Sequence, residues 1–465
     1  MKGKVLLIVP WIYDFAAYDL WSEPLGLLYI GALLREYGYE VTLIDCLDRQ
    51  HPDLCSTPGI RPPHSRRYGC GKYHKTFLDK PSVLAHVPRR YGRYGIPVES
   101  FDKELASAER PDAVLVTSGM TYWYPGSWLA VERTRERFPD VPVILGGIYA
   151  TLCPDHAGLS GADHIVAGPG EEQVISLLDR LTGNEAEPGR MPRGLDDYPY
   201  PAHDLRRVVE HVAVLTSRGC PFHCTYCASR LLYPNGFVRR DPVSVVDEIE
   251  HHHEKYGVTD FAFYDDALLV DAERHIHAIL DGIVDRGLGC RFHTPNGVHA
   301  RFITSELADK MVQAGCETVR LGVETADLAH QRRMGDKVEP PEVQRAIGFL
   351  LRAGFEGSQI GAYLLVGLPG QSATEVEESI AFAHDCGVPV RLALYSPIPG
   401  TVEWERAVEQ GLIDAHADPL LHNNSIYPLH MDPAGYEELQ RLKDLARVAN
   451  EALPAYGTAS PGQQS

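Results

Sequence analysis

The chain has no run of 18 or more consecutive apolar residues, which leaves no segment able to cross a bilayer as a helix. It is short of positive charge: 44 Lys and Arg against 63 Asp and Glu give a formal charge of −19. That balance keeps a protein dispersed and argues against a general nucleic-acid surface. Its 10 cysteines are scattered over 465 residues, which is no disulfide framework in a chain this long. The first residues, MKGKVLLIVPWIYD, lack a small-residue cleavage site and read as a buried strand, not a signal peptide. A cytoplasmic location is therefore expected. Beyond residue 405 there is no repeat and no second cysteine cluster.

What is present is one short loop, RGCPFHCTYCASR, with Cys220, Cys224 and Cys227. Thiolates are soft ligands for zinc, copper(I) or iron–sulfur clusters. The C-x3-C-x2-C spacing is not the paired pattern of structural zinc, although His223 could supply a fourth ligand, and three free thiols are also compatible with it. Three thiolates on a four-iron cluster would cap three irons and leave the fourth open for chemistry. Gly219 and Pro221 oppose helix, and the apolar run VAVLTS (212–217) precedes the loop, so the cysteines belong at the carboxyl tip of a strand.

The first 190 residues alternate apolar runs at 4–10, 40–45, 112–118, 141–147 and 163–170 with amphipathic stretches such as 25–39 and 128–138. That is the pattern of a doubly wound parallel sheet, which binds ligands outside the carboxyl ends of its strands. An insertion at about 48–108 carries Arg61, Arg66, Arg67, Lys72, Lys75, Lys80, Arg89, Arg90 and Arg93 interleaved with tyrosines. It reads either as a grip for anionic rings or as a solvated arm. Cys55, Cys70, His64 and His74 lie there without metal-site spacing. Residues 184–204 have linker composition. Six further apolar runs at 212–217, 259–266, 289–296, 316–324, 359–367 and 389–396 predict a partial (βα)6 barrel over 205–405. Residues 406–465 are expected to form a small helical extension with a disordered tail. The histidine run at 251–253 is expected on a solvated helix face.

The cysteine loop, with Tyr226 as the aromatic of C-x3-C-x-aromatic-C, resembles that of the radical S-adenosylmethionine (radical SAM) enzymes over residues 205–405. The resemblance implies a [4Fe-4S] cluster on Cys220, Cys224 and Cys227. It also implies S-adenosylmethionine (SAM) near Tyr226, Asp265, Asp266, Asn296, Glu324, Gly367 and Pro369. Residues 1–183 resemble the cobalamin (B12)-binding domain that precedes many such barrels, on the segments 23–35, 146–151 and 168–172. Pro10, Trp11, Asp45, Ser118, Gly119, Gly146, Gly147, Gly168, Gly170 and Glu171 then become the residues nearest a cobalamin. The D-x-H-x-x-G motif that supplies the cobalt-ligating histidine in other B12 domains is missing, because residues 1–200 contain no D-x-H.

The resemblance implies an α/β enzyme that cleaves SAM to a 5′-deoxyadenosyl radical and methylates a small molecule with the help of cobalamin. A radical SAM cyclase or rearrangement enzyme is the alternative, and a non-enzymatic iron–sulfur sensor belongs to a third class. An external one-electron donor such as flavodoxin or ferredoxin is the implied partner.

Overall fold

The structure, a computed structural model, describes residues 2–56, 63, 65–184 and 192–454. It divides into two compact units. The first is built from the described residues up to Glu210 with Leu231–Tyr233 and Asp418–His422, and the second from the rest. No described helix is long and apolar enough to cross a membrane.

The first unit holds strands β1 (Gly3–Val9), β2 (Tyr39–Asp45), β3 (Ala113–Val116), β4 (Val143–Gly146) and β5 (His164–Val166). They pair in parallel in the order β5-β4-β3-β1-β2. Both faces are covered, so β1 reads as a continuous apolar run. Val5, Leu7 and Val9 share one core with Leu33 and Leu34 of helix α1 (Leu25–Glu36) and with Leu178 further on. The strand order reverses between β1 and β3, which opens a crevice at their carboxyl ends.

The expected insertion is shorter than its composition suggests. Its end is the 10-residue crossover helix α2 (Val98–Ser107), which buries Phe101 and Leu105. Two apolar positions four apart in a charged stretch give too weak a periodicity to mark it. The insertion's segments Lys75–Phe77 and Gly92–Tyr94 form a three-stranded antiparallel sheet with Ile12–Asp14. Its cations face rings within the arm: Lys75 Nζ lies 4.9 Å from the Phe77 ring centre and 4.7 Å from that of Tyr94, and Arg90 lies 5.2 Å from that of Phe77. Arg61 and His64 lie outside the described residues.

The end of the expected linker is packed, whereas Arg193, Gly194, Asp196 and Asp197 are exposed. The Ala202 amide donates to the Leu28 carbonyl at 3.2 Å, His203 is fully buried, and Leu205 packs against the core. Residues 185–191 and the tail from 455 lie outside the described residues. Helices α3 (Tyr124–Arg137) and α4 (Glu171–Thr182) complete the unit.

The second unit is a six-stranded parallel sheet, β6 (Val212–Val214), β7 (Asp260–Phe263), β8 (Arg291–Val298), β9 (Cys316–Glu324), β10 (Ile360–Val366) and β11 (Val390–Leu394), paired in chain order. The helices between strands are α5 (Pro242–Tyr256), α6 (Ile276–Arg286), α7 (Ser305–Gln313), α8 (Pro340–Ala353) and α9 (Ala373–Asp385). Helix α5 starts as its sequence prescribes: the Asp241 carboxylate accepts from the Val243 and Ser244 amides, with Pro242 in the first turn. The histidine run on α5 corrects the expectation of a solvated face. His252 is buried next to Glu248, whose carboxylate also pairs with Arg240.

Helix α10 (Pro433–Glu451) covers the edge at β11. Asn450 accepts from the Val390 amide at 2.8 Å and donates to the Val390 carbonyl at 2.9 Å, replacing a missing strand partner. Asn450→Ala leaves both backbone groups buried and unpaired, and should cost about 2–4 kcal/mol. A lowered midpoint in chemical denaturation checks this; an unchanged midpoint contradicts it.

Candidate active site

The cysteine loop follows β6 at the carboxyl end of the sheet, as the sequence predicts. It is held from two sides. The Thr225 amide donates to the Met334 carbonyl at 3.0 Å, and Thr225 Oγ1 donates to Glu403 at 2.7 Å while the Glu403 amide returns a bond to the Thr225 carbonyl. The turn after Met334 presses close against the loop. A Cβ on Gly335 (φ +112°) would sit 2.9 Å from the His223 carbonyl oxygen and 3.2 Å from the Cys224 Cα. Only glycine fits that approach.

Tyr226 turns its ring downward and packs against the core of Met334, Leu368, Tyr395 and Trp404. The cysteines on either side stay near the surface: Cys224 is half-buried and Cys227 exposed. The Ser229 amide points at Cys227 Sγ at 3.5 Å. Burial pushes the Cys227 thiol up to about 11, the Ser229 amide acting in the opposite direction.

The bulge at the end of β9 supplies the opposing wall. The β8–β9 and β9–β10 registers both slip there, and Gly297 backs directly onto Gly322. Glu324 closes β9 in the left-handed region, at φ +65°. Its buried carboxylate meets Lys337 Nζ at 2.7 Å. Burial alone would lower the Lys337 ammonium, but Glu324 and the thiols of Cys224 and Cys227 outweigh it and hold the group above its ordinary value. Lys337 was missed by the sequence reading. A lysine in the polar stretch QRRMGDK has no spacing that sets it apart, and only the left-handed turn through Gly335 and Asp336 brings it to the site.

The other residues singled out from the sequence separate into distinct groups. Asp265 and Asp266 follow β7 but point different ways. Asp265 is buried and accepts from the Thr216 amide, Thr216 Oγ1 and Ser217 Oγ. Burial pushes its carboxyl up to about 6 against those bonds. Asp266 is exposed, accepts from Ser229 Oγ at 2.6 Å, and with His299 and Phe302 lines a cleft. Asn296 lies two residues inside the end of β8, and its Nδ2 donates to the Tyr264 carbonyl. Gly367 and Pro369 are buried. Gly367 is covered by the Tyr427 ring, and its amide bonds Gln371 Oε1. Phe222 stacks over His299 with 4.2 Å between ring centres, extending the aromatic wall from the cysteine loop itself.

Residues 214–383 match the model of the Radical SAM superfamily, and residues 94–178 match that of the B12 binding domain. The chain is a radical SAM enzyme with a B12-binding domain. An uncharacterized methyltransferase of Pyrococcus horikoshii is 26% identical over 84% of this chain and 80% of its own length. The cytidylyl-2-hydroxyethylphosphonate methyltransferase of Streptomyces wedmorensis is 25% identical over 88% and 83%. Among solved structures, the radical S-adenosylmethionine methyltransferase TsrM of Kitasatospora setae, with cobalamin and a [4Fe-4S] cluster bound, shares the fold. Its TM-score is 0.69 at 16% identity, over 99% of this chain and 92% of that one.

The donor set fits the cluster of a radical SAM enzyme. Among the described residues no group of three or more His, Cys, Asp or Glu side chains is placed to bind a single metal ion. Thiolates that each take a different iron stand further apart, and amides aimed at sulfur, such as that of Ser229, suit a cluster.

The B12-binding unit offers its crevice mainly as backbone. Ser118 ties β3 to β4: its hydroxyl donates to the Gly146 carbonyl at 2.6 Å, and its carbonyl accepts from the Ile148 amide. A Cβ on Gly147 (φ +99°) would lie 2.4 Å from the Ser118 carbonyl oxygen, so that glycine serves the close approach of the two loops. A Cβ on Gly119 would meet the Trp123 ring, and Gly170 lies under Ile30 and Val174. Gly168, by contrast, has φ +80° with nothing within 4 Å of its Cβ position, and it precedes the buried Glu171 at the start of α4. Trp11, next to Pro10, is buried with Nε1 donating to the Ile96 carbonyl, and Asp45 accepts from the Leu47 amide. At these strand ends Gly147 is exposed and Gly168 half-buried, whereas Trp11 and Asp45 are bonded within the protein.

The Asp265 environment yields a pH prediction. Its folded pKa of about 6 stands above the ordinary 3.8, so its contribution to stability is full at pH below about 4 and is lost as pH rises through 6. The stability of the wild type relative to Asp265→Asn should fall by up to roughly 3 kcal/mol between pH 4 and pH 7. Denaturant titrations at the two pH values check it; a difference that stays constant or grows contradicts it.

Proposed function

We propose that this chain is a cobalamin-dependent radical SAM methyltransferase acting on an unactivated carbon or phosphorus centre of a small molecule. One observation carries the reading. A three-cysteine loop is fixed rigidly beside a buried Glu324–Lys337 pair and an exposed Asp266, all at one end of a parallel barrel. The methyltransferase relatives, similar along most of this chain, support methyl transfer over ring closure.

When bound, the cluster and cobalamin supply the electron that splits SAM and the means to carry a methyl group. The protein's part is to bind, orient and exclude water. Cys220, Cys224 and Cys227 would each hold one iron, leaving the fourth for the amino and carboxylate groups of SAM. The Asp266 carboxylate suits the N–H groups of that amine through a charge-assisted bond. Glu324 stands ready for its ribose hydroxyls or amino group, while Asp265 and Tyr226 hold the frame. The Phe222–His299–Phe302 wall shields the cleft from water. An external one-electron donor such as flavodoxin or ferredoxin completes the reaction.

Anaerobically reconstituted protein given SAM, dithionite and cobalamin should release 5′-deoxyadenosine together with S-adenosylhomocysteine. Cys224→Ala should release neither while the B12-binding unit stays folded by circular dichroism. Deoxyadenosine without S-adenosylhomocysteine would overturn methyl transfer, and neither product from the wild type would overturn radical chemistry.

A further inference from the structure

The sequence stretch Met334–Lys337 does two things that the proposed reaction does not by itself explain. Through Met334 and Gly335 it clamps the cysteine loop, and two residues later it delivers a lysine beside that loop. The Lys337 side chain is 12% exposed and Glu324 is 8% exposed, so the ion pair is largely withdrawn from water. The backbone makes room for it on purpose. A Cβ on Gly322 would lie 2.9 Å from Glu324 Oε1 and closer still to Lys337 Nζ. Glu324 accepts the left-handed region, a conformation that strains a non-glycine residue. Facing the pair from neighbouring elements are Cys224 and Cys227 on the loop and His299, whose imidazole is pushed down to about 3 by burial and by the nearby Lys337 and Arg301, so that it adds no positive charge.

A buried Lys–Glu pair is weak evidence for stability, because the desolvation of two charges offsets their attraction. Its place beside the thiols of the cysteine loop points to an electrostatic role. We propose that Lys337 is a positioning residue that sets the reduction potential of the cluster, with Glu324 as its counter-charge. The inference rests on the reading of Cys220, Cys224 and Cys227 as cluster ligands. A cluster gains negative charge when it is reduced, so a fixed ammonium near its thiolates favours the reduced form. The Glu324 carboxylate, bonded to that ammonium, moderates the effect. Because one turn holds both the loop and the lysine, the ammonium keeps its place relative to the sulfurs.

The test is an EPR-monitored redox titration of anaerobically reconstituted full-length protein without SAM or substrate. Lys337→Met should shift the midpoint to more negative potential, lowering the ratio of reduced to oxidised cluster roughly tenfold at a fixed potential. Lys337→Arg should restore most of the shift. Glu324→Gln, which leaves the ammonium uncompensated, should move the midpoint the opposite way. Iron content should remain at wild-type level in all three. If Lys337→Met fails to hold a cluster, the opposite shift of Glu324→Gln decides the matter. Wild-type midpoints in the variants that hold a cluster, or shifts of the same sign in Lys337→Met and Glu324→Gln, would overturn the assignment. Failure of the underlying reading looks different, since the wild type would then show no four-iron signal.

Discussion

The second unit depends on the clamp between the cysteine loop and the turn after Met334. A loop carrying three thiols at the tip of a short strand has little reason to stay in place, because β6 spans only Val212–Val214 before the chain leaves the sheet. The Met334 carbonyl, the close approach of Gly335 and the paired bonds to Glu403 supply that reason. Tyr226 adds an apolar anchor beneath. The arrangement leaves Cys227 exposed and Cys220 and Cys224 half-buried, as a cluster that must meet a cosubstrate requires. Such fixing holds reactive groups within the tolerance that catalysis demands.

Much of this organisation was legible in the chain because both sheets are parallel and buried on both faces. Such strands read as apolar runs, and each of the 11 main strands falls within or beside a run seen in the sequence. The cysteine spacing carries its chemistry in three residues, so it needed no tertiary information. Helix α2 and the packed segment 201–205 were less visible, since their burial depends on Phe101, Leu105, His203 and Leu205 set singly among polar residues. His252 misled for a related reason: its burial follows from the Arg240–Glu248 pair and leaves no trace in hydrophobic periodicity.

The candidate site shows the same limit at closer range. Asp265 and Asp266 are adjacent in sequence and at the end of one strand, yet period-two alternation sends one into the frame and the other to the cleft. Lys337 has no signal at all, because 13 positions and a left-handed turn separate it from Glu324. In the B12-binding unit the glycines at strand ends served two purposes that sequence cannot tell apart. Gly147 is demanded by the neighbouring Ser118 backbone, whereas Gly168 faces open space. Trp11 looked like a ligand contact by position, and its hydrogen bond to Ile96 makes it part of the core.

The account stands on an iron with an open coordination position next to Asp266 and Glu324. Electron–nuclear double resonance on the reduced, reconstituted protein mixed with SAM labelled with nitrogen-15 at its amino group measures that directly. A resolved nitrogen coupling, together with an altered EPR spectrum of the four-iron cluster, is the predicted result. A cluster whose spectrum is indifferent to SAM, with no nitrogen coupling, would contradict the account.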